Sequence, residues 1–354
     1  MELAIPTTFD RRDWARPVEG TPLRVAVVGL GDFARDVALP ALDRSDHCEV
    51  TAVVSGSPET ASAAAAEYGI ERVLTYDEYE DGEAADGYDA VYLVTPNGLH
   101  LPQAETAAGL GKHVLCEKPI EASADRAERL VAACEDAGVE LMSAYRMQTT
   151  RSVRWVREQV RAGVIGDPVQ VHGEISFDLI ADGDTDQWRL DGDLAGGGAF
   201  MDIGVYPLNT AAFVLDADPV AVRASARSDR PAFDEVEEHV DFQVEFDDGT
   251  VGSCTASYGA ASANRLSVIG TDGRVVVEPV FGIDCERTVT VERDGSATSL
   301  DAAEPSEVVD ELDYFATGVL GDLTVEPDGA EGVRDVRVAE AVYESAETGK
   351  RVEL

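Results

Sequence analysis

Leu23-Arg24-Val25-Ala26-Val27-Val28-Gly29-Leu30-Gly31-Asp32-Phe33-Ala34 decides the fold of this chain. Its first six residues form a nearly unbroken apolar run, the pattern of a short strand buried on both faces of a parallel sheet. The glycines at 29 and 31, with Ala34 three places on, give the G-x-G-x-x-A spacing of a dinucleotide-binding turn. The first glycine makes the turn, the second lets backbone approach a pyrophosphate, and alanine is accepted at the third position. A helix pattern continues to about Ser45, so the amides of its first turn face the diphosphate. Leu30, Asp32, Phe33 and Arg35 complete this candidate loop.

Working outward, strand and helix patterns alternate. Glu49–Ser55 reads as a second strand, 58–68 as an alanine-rich helix, Ala90–Val94 as a strand and Leu101–Leu110 as a helix. His113–Cys116 is a strand, Ser123–Ala137 a helix with Ser123 as its N-cap, and Leu141–Ala144 closes the series. This order predicts an α/β fold: an extension over 1–22, then a doubly wound parallel sheet over 23–145, a Rossmann domain. Past Tyr145 the pattern changes. A helix over Val153–Arg161 ends at Gly163, and period-2 segments follow at Val169–Phe177, Val240–Phe246 and Val251–Tyr258. Such alternation predicts an α+β domain over 146–354 with an open, mainly antiparallel sheet. Asp247-Asp248-Gly249 and Thr271-Asp272-Gly273 suit hairpins that need positive φ, and a last helix, Gly332–Thr348, is expected to pack back onto that sheet.

The chain has 354 residues and a formal charge of −41, with acid spread along its whole length. Such a surface repels phosphates and anionic headgroups, which argues against nucleic acid or membrane as a partner. Molar salt, with a Debye length of ~3 Å, screens the self-repulsion, so a halophile's cytoplasm is the expected setting. The five cysteines, Cys48, Cys116, Cys134, Cys254 and Cys285, lack C-x-x-C spacing, which fits a reducing compartment. The five histidines are scattered, so no metal site is expected. No apolar run suggests a bilayer span, and the start, with Arg11-Arg12, has no hydrophobic stretch behind it.

The cofactor's type is read at the end of the second strand. An acidic residue there binds the ribose 2′-hydroxyl of NAD, but this chain has Ser55-Gly56-Ser57, and Glu49 lies at the wrong end of the strand. Without that carboxylate a 2′-phosphate is not repelled, and Ser55, Ser57 and Arg35 are candidate donors to it; NADP is expected over NAD. Three further segments supply candidate chemistry: Thr95-Pro96-Asn97-Gly98-Leu99-His100, Cys116-Glu117-Lys118-Pro119, and Gly196-Gly197-Gly198 running on to Asp202, Tyr206 and Pro207. Lys118 is one of only three lysines, with Lys112 and Lys350, and stands in an apolar, turn-forming stretch where a reacting role explains it best. Asp202 and Tyr206, four apart, fall on one face of a helix after the glycines.

These three motifs, in this order and at this spacing over most of the chain, resemble the Gfo/Idh/MocA oxidoreductase family. Within it the acidic composition, Tyr145-Arg146-Met147-Gln148-Thr149-Thr150 and Gln187-Trp188-Arg189-Leu190 are most similar to the haloarchaeal D-xylose 1-dehydrogenase branch. The resemblance implies a sugar dehydrogenase that passes a hydride to nicotinamide C4, with Lys118 and Tyr206 at the reacting hydroxyl. An ordinary phenol, pKa ~10, is a poor base at neutral pH, but a cationic lysine beside it favours the phenolate. Asp202 is then implied to hold a sugar hydroxyl, Asn97 and Glu117 to contact the nicotinamide ribose, and Thr95, Pro96 and His100 to line the cofactor pocket. Arg146 and Arg189 are implied polar contacts to cofactor and substrate respectively. Many family members carry histidine where this chain has Tyr206, which points to C1 oxidation of a pyranose, not to inositol oxidation. Relatives often carry a lysine after the second strand; Pro58-Glu59-Thr60 stands here, which weakens the NADP assignment. Glucose–fructose oxidoreductase-like chemistry and a silent NADP-binding regulator remain alternatives, and a homodimer or homotetramer is implied by analogy.

Overall fold

The computed structural model describes residues 9, 20–302, 304–321, 323 and 325–354. The expected extension over 1–22 lies largely outside them. Among the described residues two compact units result: residues 20–146 with Val308–Val333, and Phe9 with Met147–Glu307 and Arg334–Leu354.

The first unit carries β1 (Leu23–Val28), β2 (Cys48–Val54), β3 (Arg72–Leu74), β4 (Ala90–Leu93), β5 (His113–Glu117) and β6 (Leu141–Ala144). All pairs are parallel, in the order β3-β2-β1-β4-β5-β6. Because β1 leads to β2 on one side and lies beside β4 on the other, the crevice at their C-terminal ends is the switch point where such sheets bind ligands. Five of the six residues of β1 are buried, which is why its sequence shows no alternation. A helix over 32–43 opens directly after the glycine turn, its bonds over Ala34–Ala38 wound as a π-helix. Ser57 caps helix Pro58–Tyr68 by accepting from Thr60 N at 3.3 Å. Ser123 occupies the N-cap position of Ala124–Ala137 but makes no such bond; that helix is anchored by its buried stripe Ala127, Leu130 and Cys134.

The expected division also differs in one segment. Helix Glu307–Leu320 falls within the expected 146–354 domain, yet its Val308, Leu312, Phe315 and Ala316 lie in the core formed by Val25, Val27, Leu42 and Leu115. Burying each large side chain contributes ~1.5–3 kcal/mol, enough for the stripe to fix where the segment packs.

The second unit carries β7 (Pro168–Asp178), β8 (Pro219–Arg227), β9 (His239–Phe246), β10 (Val251–Ser257), β11 (Gly259–Gly270), β12 (Gly273–Glu278), β13 (Arg287–Arg293), β14 (Ser296–Ala302) and β15 (Val352–Glu353). Their order is β14-β13-β12-β11-β7-β10-β9-β8-β15, antiparallel except for β7 with β10. β9 alternates as expected, with Val240, Phe242, Val244 and Phe246 buried. The β9–β10 hairpin uses Gly249 at φ +89°. In the β11–β12 hairpin Gly273 does not take a positive φ; it is needed because a Cβ there would lie 2.3 Å from Glu292 O. The last helix, Gly329–Thr348, starts earlier than expected, and its Ser345 Oγ accepts from Ala224 N of β8 at 2.9 Å. Among the described residues one stretch, Gly192–Leu215, is apolar and long enough for a bilayer by composition, but 94% of its apolar window is buried in the fold.

Candidate active site

In the first unit the glycine turn has the shape its spacing predicts. Gly29 sits at φ +96°, and a Cβ there would lie 2.6 Å from Thr95 Cγ2 and 2.8 Å from Val94 O, so only glycine fits. A Cβ at Gly31 would meet nothing within 4 Å, leaving the space a diphosphate needs. Leu30 and Ala34 are buried beneath the turn, Asp32 is exposed, and Phe33 packs on the core. These residues fit a bound dinucleotide. Arg35 is engaged by Asp32 in an exposed ion pair. At the end of β2, Ser55 Oγ accepts from Ser57 N at 3.1 Å and Ser57 Oγ accepts from Thr60 N, so both hydroxyls serve as acceptors in a turn that contains no carboxylate.

Glu117, at the end of β5, accepts from Tyr92 Oη at 2.6 Å. Burial pushes its pKa above the ordinary carboxylate range, against the opposing charges of Lys118 and Arg146 and the Tyr92 bond. Lys118 follows at once, joined to Pro119 by a cis bond. Asn97 and Arg146 are buried in the same unit, and Thr95 Oγ1 donates to Gln103 at 2.6 Å.

His100 lies between two loops of the first unit. Its ring is fully buried, with Nε2 2.9 Å from Thr95 O and Nδ1 3.2 Å from Ile120 O. Burial lowers its pKa, and a neutral ring donates to one of the two carbonyls. It braces the loops after β4 and β5. Beside it the buried Glu121 carboxylate accepts from Arg126 Nη2 at 2.6 Å, and the same nitrogen donates to Gly98 O at 2.7 Å.

In the second unit the triple glycine opens a helix over 199–215. Gly198 is required by close approach: a Cβ would lie 2.0 Å from Glu237 O. The Glu237 carboxylate accepts from Gly198 N and Phe200 N at 2.7 Å each, satisfying donors that the helix leaves open. Phe200–Gly204 is wound as a π-helix, so Asp202 and Tyr206 lie within one wide turn of each other. Asp202 Oδ2 accepts from Arg189 Nε at 3.0 Å and from Tyr258 Oη at 2.8 Å. The Asp202 carboxylate raises the Arg189 pKa, and burial pushes that of Tyr258 well up, so Tyr258 stays a donor. Arg189 also stacks on Trp188, 4.7 Å from the ring centroid. Tyr206 packs its ring 5.9 Å from that of Phe281.

The structure therefore brings Asp202 and Arg189 together, and Glu117 with Lys118 and Arg146. Sequence reading missed Tyr258, Glu237, Trp188 and Phe281. Trp188 stands beside Arg189 with no motif to mark it; the others come into place only through long-range packing.

Residues 23–145 match the family described as oxidoreductase family, NAD-binding Rossmann fold, and residues 153–276 match the GFO/IDH/MocA C-terminal domain. The chain is 44% identical to D-xylose 1-dehydrogenase [NADP(+)] of Haloarcula marismortui, covering 99% of both chains. It is 36% identical to D-xylose 1-dehydrogenase (NADP(+)) 2 of Haloferax volcanii, covering 93% of this chain and 98% of that one. Aldose-aldose oxidoreductase from Caulobacter crescentus superposes with a TM-score of 0.89 at 34% identity, over 94% of this chain and 100% of that one.

Proposed function

Because the chain belongs to the Gfo/Idh/MocA oxidoreductase family, we propose that it is an NADP-dependent dehydrogenase that oxidises an aldopyranose at C1, with D-xylose to D-xylonolactone as its reaction. The observation that carries this reading is the helix over 199–215, which presents a carboxylate oriented by Arg189 and Tyr258 and, four residues on, the Tyr206 phenol. Full-length similarity to two haloarchaeal D-xylose 1-dehydrogenases supports the substrate and the cofactor.

Bound NADP supplies the hydride acceptor. Tyr206 takes the C1 hydroxyl proton as general base, and Lys118 stabilises the developing alkoxide as a cation. Asp202, held by its two donors, accepts from a second sugar hydroxyl and fixes the ring's orientation. On the cofactor side Gly29 and Gly31 admit the diphosphate, Ser55 and Ser57 present hydroxyls to the 2′-phosphate, and Glu117 with Asn97 holds the nicotinamide ribose. The spread of acid along the chain, with five free cysteines, fits the cytoplasm of a halophile; by analogy with the family, the second unit's sheet is the surface of a homodimer or homotetramer.

A second reading rests on the likeness to aldose-aldose oxidoreductase: a cofactor that stays bound and is reoxidised by a second sugar. Product analysis separates the two. The dehydrogenase reading requires one NADPH released per lactone formed from D-xylose in molar KCl. Reduced sugar accumulating in place of free NADPH would establish the second reading instead.

A further inference from the structure

A buried charged cluster in the second unit has no part in the chemistry above. The Arg287 side chain is fully buried, with Nε donating to Val280 O at 2.9 Å and Nη2 to Gly282 O at 2.8 Å. Glu304 and Glu307, both almost wholly buried, approach its guanidinium at 3.7 and 3.4 Å. Glu307 also accepts from Asp284 N at 3.0 Å. On the other side, Asn264 Oδ1 accepts from Val280 N at 2.8 Å and Phe281 N at 2.7 Å. Asn264, Arg287 and Glu307 thus hold the backbone of residues 280–284 at both its donors and its acceptors.

Such a cluster is an expensive way to gain stability. Each ion costs several kcal/mol to desolvate, and apolar side chains of similar volume often serve stability as well or better. What it secures is geometry. Phe281, in the middle of the clamped segment, is 3% exposed and packs on Tyr206 with ring centroids 5.9 Å apart and planes inclined at 35°. An aromatic pair in this range limits how far either ring can swing.

We propose that Phe281, clamped by Asn264, Arg287 and Glu307, is a positioning residue that sets the orientation of the Tyr206 phenol. The inference rests on the reading of Tyr206 as the base. Removing the ring lets the phenol oxygen wander, and since a displacement of ~1 Å costs up to ~100-fold in rate, a partial loss of order corresponds to about tenfold in kcat.

The test uses the full chain in molar KCl with 3-fluorotyrosine placed at 206, as wild type, Phe281→Leu, Phe281→Tyr and Arg287→Met. Fluorine NMR reports the ring's order, initial rates with D-xylose give kcat and KM, and fluorescence titration gives the NADPH dissociation constant. One narrow resonance is expected for wild type and a broadened or split one for Phe281→Leu. That variant should lose about tenfold in kcat with NADPH affinity unchanged, and Phe281→Tyr should restore both. Arg287→Met, if it folds, should reproduce the broadening; if it does not, Phe281→Leu decides alone. An unchanged narrow resonance in Phe281→Leu, or a rate loss matched by an equal loss of NADPH affinity, would overturn the proposal. Should wild type oxidise no aldose, the reading of function falls while the fluorine spectra still decide whether Phe281 orders Tyr206.

Discussion

Replacing Asp202 by asparagine keeps the shape of the side chain and removes its charge. Asp202 Oδ2 accepts two bonds, from Tyr258 Oη at 2.8 Å and Arg189 Nε at 3.0 Å. Bonds to a charged group contribute ~1.5–3 kcal/mol and neutral ones ~0.5–1.5, so neutralisation forfeits about 1 kcal/mol at each. The Arg189 side chain is 33% exposed, so water offsets part of its share. A sugar hydroxyl donating to the same carboxylate loses a similar amount. The first two bonds are already present in the free enzyme and cancel from kcat/KM, so the sugar's own bond sets the loss: about 1 kcal/mol, or roughly fivefold at ~1.36 kcal/mol per decade. Initial rates of NADPH formation over a range of D-xylose concentrations measure it, with fluorescence titration of NADPH as the control. The expected result is a loss of roughly fivefold or more with cofactor affinity intact. Activity within twofold of wild type would refute the assignment of Asp202 to substrate, as would a loss traced wholly to NADPH binding.

The same geometry yields two further expectations. Tyr92 donates to the ionised form of Glu117, whose pKa burial already raises, so Tyr92→Phe raises it further and lets the proton bind at higher pH. The acid limb of the pH–kcat/KM profile for NADP should therefore move upward, and an unmoved limb would mean that Glu117 does not need its charge. Ser57→Asp keeps a good N-cap for helix Pro58–Tyr68 while placing a carboxylate at the end of β2. Repulsion of a 2′-phosphate should lower kcat/KM for NADP by about tenfold or more while sparing NAD; equal effects on both cofactors would show that residue 57 does not face the 2′ position.

The first unit's sheet was readable because local requirements and buried position coincide there. Leu23–Val28 is apolar because both of its faces are covered, and Gly29 is glycine because φ +96° and Val94 leave no room for a Cβ. The affiliation of helix Glu307–Leu320 was not readable. Its stripe of Val308, Leu312, Phe315 and Ala316 has helical spacing, but Asp310, Glu311 and Asp313 between them are also buried, so the segment reads as an acidic surface. Asp202 announced itself through its motif, whereas its donor Tyr258 stands 56 residues away, just past β10, whose alternation says only which face is inward. For His100 the motif carries no sign of its two enclosing carbonyls, which belong to loops that meet only in the fold.

The most direct test of the central claim is NADP reduction in molar KCl with D-xylose, D-glucose, L-arabinose, D-ribose and myo-inositol, for wild type beside Lys118→Ala and Tyr206→Phe. The account predicts that D-xylose is preferred and that both substitutions abolish turnover while NADPH still binds to Tyr206→Phe. A preference for inositol, or activity that survives both substitutions, would contradict it.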